Sequence, residues 1–546
     1  MDVRHAGARR RRPRILARMV AAAGLRPGLL RRNVPGKLPA MSGPSGARAA
    51  LYGHRHSVAT GHHLATRAAC IQLDRGGALV DAMIAASAVL TVVLPHATSL
   101  GGCGMMLLHD AAGGHTHALN GSGIAPGSAD PALFGGAVGA RGPRSWVVPG
   151  LVRLWAQAHR RHGRLPWNTL FHDAIELAAD GAAFSSEISR NLALATAQVR
   201  KQPGFAQAFQ VDGQDRQAGT PWRQIAVAAT LQRIAAHGED GFYEGPVADA
   251  LCRFAADTGG LLRPEDLKRV AADWTQPVHQ DYGRRWVAVM PPNSVGVLML
   301  AQLSRLQWRP DVPRERRLYA QVMNARACLP GLRDRVADPA ARWPWHDDGS
   351  ESPRFQGAGA EPGDTAGIVL ADGSGNGLVM LQSVFQPFGS GCVDPVTGVL
   401  MNNRLGEFST DRRHFNVLAP GKRPVHTLNP YIVFRDGAPE LFAVSPGGIS
   451  QTTTGVQCIS NVLVDRAPLS LAIDLPRWSM GRDGQVMCEP GFPDGTLALL
   501  EAAGVAVEAD STHPFYFGSI KAVQRHGSGM LEAAADLRRQ ACAAAW

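Results

Sequence analysis

The chain has 546 residues, 45% hydrophobic and 18% charged, a balance that supplies a large core and excludes a disordered or low-complexity protein. A formal charge of +11 suggests a nucleic-acid partner only until it is located: residues 1–40 hold eleven Lys/Arg against one Asp, so the rest of the chain is nearly neutral and no nucleic-acid function is expected. No stretch reaches the roughly 18 apolar residues of a membrane helix, since the nearest, Ala78 to Leu94, contains Asp81, so no membrane span is expected.

The basic segment, residues 1–45, reads as a disordered tail. Its apolar part, Ile15 to Leu25, is interrupted by Arg18 and makes a poor secretory signal. A twin-arginine-like export signal and a true start at Met41 both remain open. The eight cysteines are scattered, with no Cys-x-x-Cys and no metal-type spacing, and the nineteen histidines include no His-Glu-x-x-His. No metal or cofactor is expected, and the compartment is read as cytoplasmic.

From Ser57 a short strand leads into a helix from His62 to about Leu73, closed by Arg75-Gly76-Gly77. Ala78 to Leu94 is an almost wholly apolar helix, which predicts burial on all sides. The glycine-dense Ser99–Gly104 precedes a strand, Met105 to His109; without a following Lys-Ser/Thr or a helix it is no phosphate loop. Helices are predicted over Leu151–His162, Trp167–Ala179, Ile225–His237, Val247–Thr258 and Val297–Leu306, with a strand at Trp286–Met290 and a helical first turn at Pro264–Leu267. Trp343 to Gly363, rich in Gly, Pro and Ser, reads as a mobile loop. Thr365–Ala371, the turn Asp372–Gly377 and Leu378–Phe385 then read as a strand pair, followed by strands at Tyr431–Arg435 and Leu441–Val444 and a helix from Thr453 to about Asp465.

Thr365 stands at the head of a buried strand behind that loop. If the bond before it is cut, its new α-amine lies beside its own hydroxyl and can serve as the base that activates it. Ordered blocks support that chemistry: Gly77–Ala82, Leu100–Gly104, Val148-Pro149-Gly150, Glu265-Asp266-Leu267, Gly363-Asp364-Thr365, Phe388–Gly391, Leu400–Asn403, Lys422-Arg423-Pro424, Ser445–Gly448 and Ala472–Arg477. Together they resemble the γ-glutamyltranspeptidase family of N-terminal-nucleophile hydrolases, from Ser57 to about Gly518.

The resemblance implies an α/β, four-layer αββα sandwich made as one precursor that cuts itself between Asp364 and Thr365. It implies a helix-rich piece, residues 46–364, and a strand-rich piece, residues 365–546, forming one intertwined unit: a heterodimer of the chain's own fragments, with further pairing left open. The expected activity is amide hydrolysis or acyl transfer on a small-molecule amide through an ester on Thr365, with an uncut, inactive scaffold as the alternative. Ser383 matches the hydroxyl that bonds the nucleophile region, and Gly447 and Gly448 match the backbone N–H pair of the oxyanion hole. Asn403 and Glu407 match pocket-lining positions. Three departures bear on substrate: Ser122 stands where γ-glutamyl enzymes carry a carboxylate-gripping Arg, Phe385 where the family places an Asn, and His426-Thr427 in place of a Ser pair. Arg404 and His426 are then the candidates for a different anion contact.

Overall fold

Two antiparallel sheets of seven strands each organise the chain. The first runs Cys542–Ala545, His56–Thr60, Asp364–Asp372, Gly377–Phe385, Cys103–Asp110, His115–Gly121, Asp273–Thr275. The second runs Leu51–Gly53, Leu531–Ala535, Lys521–Arg525, Ala438–Val444, Tyr431–Arg435, Arg285–Val289, Val278–Tyr282. The computed structural model describes residues 50–339, 363–481, 484–509 and 517–546, all within one compact unit, Arg48–Trp546. The expected tail, and the expected loop apart from Gly363, lie outside the described residues.

Strand alternation explains the layering. In Asp364–Asp372, Ala366, Ile368 and Leu370 face the helices His63–Asp74, Leu79–Val93 and Leu151–His162. Val369 and Ala371 face the other way and pack with Ile432, Phe434, Phe442 and Val444 of the second sheet. That sheet's far side, Val287, Val289, Tyr431 and Val433, is covered by the helices Gly296–Arg305, Gln451–Ile459 and Leu469–Asp474. The order helix, sheet, sheet, helix is the αββα sandwich expected from the sequence. Every residue of the helix Leu79–Val93 is buried, as its unbroken apolar run requires.

Both sheets contain strands from before and after Asp364 side by side. Asp364–Asp372 lies between His56–Thr60 and Gly377–Phe385, while Arg285–Val289 pairs with Tyr431–Arg435 and Leu51–Gly53 with Leu531–Ala535. Two expectations need correction. Trp167–Ala179 is not one helix but a 3-10 turn, a short α-helix and a π-turn, with the Trp167 and Phe171 rings tilted against each other at 4.8 Å between centroids. The helix expected from Thr453 begins at Gln451 and ends in a π-turn, Ser460–Val464.

The sheets touch most closely at Gly377, where a Cβ would run into the Phe442 ring, and at Gly367, where it would lie 2.6 Å from a Val444 methyl. Gly377→Val should therefore lower stability by about 1–3 kcal/mol, read as a lower urea midpoint at unchanged slope.

Candidate active site

Three segments meet at the Asp364–Thr365 bond. The first is the strand Asp364–Asp372. Strand alternation sets Thr365 on the face shared with Gly367 and Val369, toward the second sheet, and Asp364 on the face of the helices. Thr365 is buried, and its hydroxyl has no hydrogen-bond partner. Its amide N–H donates to Asp364 Oδ1 at 2.7 Å.

The second segment is the neighbouring strand, Gly377–Phe385. Asp364 pairs with Phe385 and Ala366 with Gln382, so Ser383 and Val384 together oppose Thr365. This bulge re-aims the Ser383 side chain. Its hydroxyl donates to the Asp364 carbonyl at 2.6 Å and accepts the Phe385 N–H at 2.7 Å. Phe385 is held at a positive φ of 85°.

The third segment is Ser445–Gly448, which leads from the strand Ala438–Val444 into the helix Gln451–Ile459 through a 3-10 turn. Gly447 and Gly448 have φ of 152° and 59°, and a Cβ on Gly448 would lie 2.9 Å from the Gly363 nitrogen. The chain thus lays Gly363, just upstream of the bond expected to be cut, directly on Gly448. N–H groups at the head of a helix lack intrahelical acceptors, which suits such a loop to an oxyanion.

Sequence reasoning missed what holds Asp364. Its carboxylate is fully buried, with Oδ1 against the Arg539 guanidinium and Oδ2 3.5 Å from His96 Nε2. The same His96 nitrogen lies 3.6 Å from Glu187 Oε1, and Glu187 Oε2 accepts the Gln540 N–H at 2.9 Å. Burial opposes ionisation of Glu187, but the nearby His96, then Arg539, bring its pKa down to about 2. Burial, helped by Arg539, pushes the nearby Lys521 down to about 7, and its Nζ donates to Ser519 Oγ at 2.7 Å. Ligand atoms of His96, Glu187 and Asp364 lie within 4.8 Å of one another, a spacing that also suits a metal ion. Arg539 on the same carboxylate disfavours a second cation there. Three residues before Arg539, the Asp536 carboxylate accepts from Arg477 at 2.5 Å and from the Ile520 N–H at 3.0 Å. Burial works against that carboxylate, yet Arg477 and Arg538 hold it well below the usual range.

Of the expected pocket residues, Arg404 lies directly against Phe385. The Arg404 guanidinium lies 4.1 Å from the Phe385 ring centroid and donates to Thr427 Oγ1 at 3.2 Å. His426 is fully buried, and burial, then the charges of Arg404 and Arg423, push it well below its ordinary pKa, so its ring is neutral. The His426 backbone N–H donates to the Asn293 carbonyl, while the Asn293 side-chain amide donates to Ser122 Oγ at 3.1 Å. Ser122 Oγ also accepts from Arg423, which is tied at its other nitrogen to Asp273 at 2.5 Å. Asn403 commits its amide to Ala140 and Gln386, fixing the chain just after Phe385. Glu407 faces Arg333 at 3.8 Å.

The profile of the family described as Gamma-glutamyltranspeptidase matches residues 65–346 and 332–546. The chain belongs to this family. It is 33% identical to the oxamate amidohydrolase proenzyme of Klebsiella pneumoniae, over 89% of this chain and 97% of that protein. It is 30% identical to a glutathione hydrolase-like proenzyme, YwrD, of Bacillus subtilis, over 89% and 98%. Among solved structures, the cephalosporin acylase of Bacillus halodurans superposes with a TM-score of 0.82 at 28% identity, covering 94% of this chain and 99% of that one. As a γ-glutamyltranspeptidase-family member the chain is a self-processing amide hydrolase or acyltransferase, and an uncut scaffold is not favoured. The relatives' naming as proenzymes is consistent with a chain that matures into two pieces.

In the uncut chain Gly363 is held against Gly448 by its continuity with Thr365. Gly448→Ala should therefore destabilise an uncut Thr365→Ala precursor by about 1–3 kcal/mol, through the clash and the left-handed φ. The same change should cost a cut enzyme less; paired urea melts check this.

Proposed function

We propose that the chain cuts itself between Asp364 and Thr365 and then hydrolyses the amide of a small carboxylic acid through an ester on Thr365. The observation that carries this is the buried, unbonded Thr365 hydroxyl on the scissile residue, with Ser383 already donating to the carbonyl it must attack. In the first stage Thr365 Oγ1 bonds to the Asp364 carbonyl carbon, the carbon–nitrogen bond breaks, and the hydroxyl proton passes to the departing nitrogen. Water then cleaves the ester, leaving Asp364 as a carboxylate and Thr365 with a free α-amine. The products are residues 1–364 and 365–546, which stay together because strands of both pieces interleave in both sheets.

In the second stage the neutral amine takes the Thr365 hydroxyl proton as the oxygen attacks the substrate carbonyl. Gly447 and Gly448 N–H groups hold the oxyanion, each donor worth about 3–4 kcal/mol. The amine passes its proton to the leaving nitrogen, and water releases the acid. Asn403 and Glu407 act from behind the pocket wall, while Arg404, His426, Thr427 and Ser122 shape it.

Strict γ-glutamyl selectivity is not part of this reading. At the position of the carboxylate-gripping Arg stands Ser122, and the nearest guanidinium, Arg423, is engaged by Asp273. A hydroxyl cannot replace a bidentate guanidinium without a large loss of affinity. That a relative is named for oxamate supports an acid-amide substrate.

Thr365→Ala should give one uncut band on a denaturing gel and no activity, against two bands for the wild type; a variant that still splits would refute the assignment. With glutathione and oxamate compared on the cut enzyme, kcat/KM should favour oxamate by at least about tenfold. Only the deprotonated amine is active, and Arg539 beside Thr365 favours the neutral form. Activity should accordingly rise with pH to a plateau, with its midpoint at or below the ordinary amine range of about 7.7–8.0.

A further inference from the structure

The ester formed during self-cleavage and the ester formed from a substrate are the same kind of species: an acyl group on Thr365 Oγ1. The intact chain therefore shows where two branches of an acyl group lie. One branch of Asp364, its backbone nitrogen, leads to Gly363 and onto Gly448. The other is a methylene bearing a carboxylate, held by Arg539 at one oxygen and facing His96 at the other. All of these groups are at least nine-tenths buried, and neither ring nitrogen of His96 has a hydrogen-bond partner.

Ester hydrolysis removes the tether between Asp364 and Thr365. It also gives Asp364 a second carboxylate in the same buried volume, where like charges a few ångströms apart repel strongly. Its departure takes the Asp364 carboxylate away from Arg539 and from Lys521, on which it also acts. Asp536 is already bonded to Arg477 and Arg538, and Glu187 to the Gln540 N–H. A desolvated recess with Arg539 and His96 at one acyl length from Thr365, and Glu187 behind His96, remains.

We propose that Arg539 and His96 form a carboxylate subsite of the mature enzyme, which takes the far carboxylate of a short dicarboxylic mono-amide. The spacing is set by Asp364: two carbons separate its reacting carbonyl from its side-chain carboxylate, as in succinamate. Oxamate and malonamate are too short to reach both ends, and glutaramate is one carbon too long. Arg404, the other candidate for an anion contact, lies against the Phe385 face and bonds Thr427, and the intact chain delivers no part of the scissile residue to it. The inference rests on the self-cleaving reading above.

The test uses the purified two-fragment enzyme and the series oxamate, malonamate, succinamate and glutaramate, with butyramide as the uncharged equal of succinamate. We expect kcat/KM for succinamate to exceed each neighbour by about tenfold and butyramide by about a hundredfold, the range of a charge-assisted pair. Succinate should inhibit competitively with the same length preference. Arg539→Met should abolish the preference chiefly through KM, and Arg539→Lys should restore part of it, while Arg404→Met should retain it. If Arg539→Met fails to mature, the wild-type length profiles for hydrolysis and for inhibition decide. A flat profile, or a preference lost in Arg404→Met and kept in Arg539→Met, overturns the subsite while leaving self-cleavage intact. A wild-type chain that never splits overturns both.

Discussion

Everything at this site depends on how the Asp364 side chain is held. A carboxylate with no exposure to water is costly unless charge and hydrogen bonds replace its hydration. Here Arg539 meets one oxygen, His96 faces the other, and the residue's own carbonyl accepts from Ser383. The scissile residue is therefore clamped at both its backbone and its side chain. Thr365, fixed between that clamp and the rest of its strand, has little freedom except at its hydroxyl. A reaction between adjacent atoms of one chain gains most from this kind of restraint, because orientation is established before any bond moves.

The clamp draws on distant stretches of chain: the turn after the Leu79–Val93 helix, the helix Ser186–Leu194, and the connection that crosses from Leu531–Ala535 in the second sheet to Cys542–Ala545 in the first. That crossing ties the end of the chain to the first sheet, since Cys542–Ala545 pairs with His56–Thr60 and the Trp546 carbonyl accepts from Arg55 and His56. Arg539 thus reaches Asp364 only because the chain's last strand closes the sheet's edge. Cutting at Thr365 would remove one covalent link from an object whose two pieces share both sheets, so the fold would outlast the cut while the clamp would lose the residue it held.

This division also explains what could be read from the sequence. The Leu79–Val93 helix declares itself by an apolar run, the Asp364–Asp372 and Gly377–Phe385 pair by two β-rich runs about a Gly-rich turn, and Thr365 by its place at the head of the first. Residues whose role is local are legible. His96, Glu187 and Arg539 sit in unremarkable contexts and acquire meaning only when the fold brings them to one carboxylate. The strand Cys542–Ala545 is nearly all alanine, a composition that carries little β preference, and the helix Arg314–Arg333 has arginines and Pro330 dispersed around it, so neither shows a period. The bulge at Ser383–Val384 is likewise a property of two strands together.

The substrate question turns on where cations are free to act. A guanidinium grips a carboxylate only if its donors are not already engaged, and its strength there grows as water is excluded. Arg423 reaches the Ser122 site but bonds Asp273, and Arg404 is stacked on Phe385. Neither arrangement reproduces an arginine aimed into an acyl pocket. Arg539 differs because its carboxylate partner belongs to the very residue that the proposed self-cleavage would release. An enzyme that first acylates itself with an aspartyl group must accommodate that group's shape and charge at its own nucleophile. The same walls remain when the group has gone, so the acyl chain they fit best is one that resembles it.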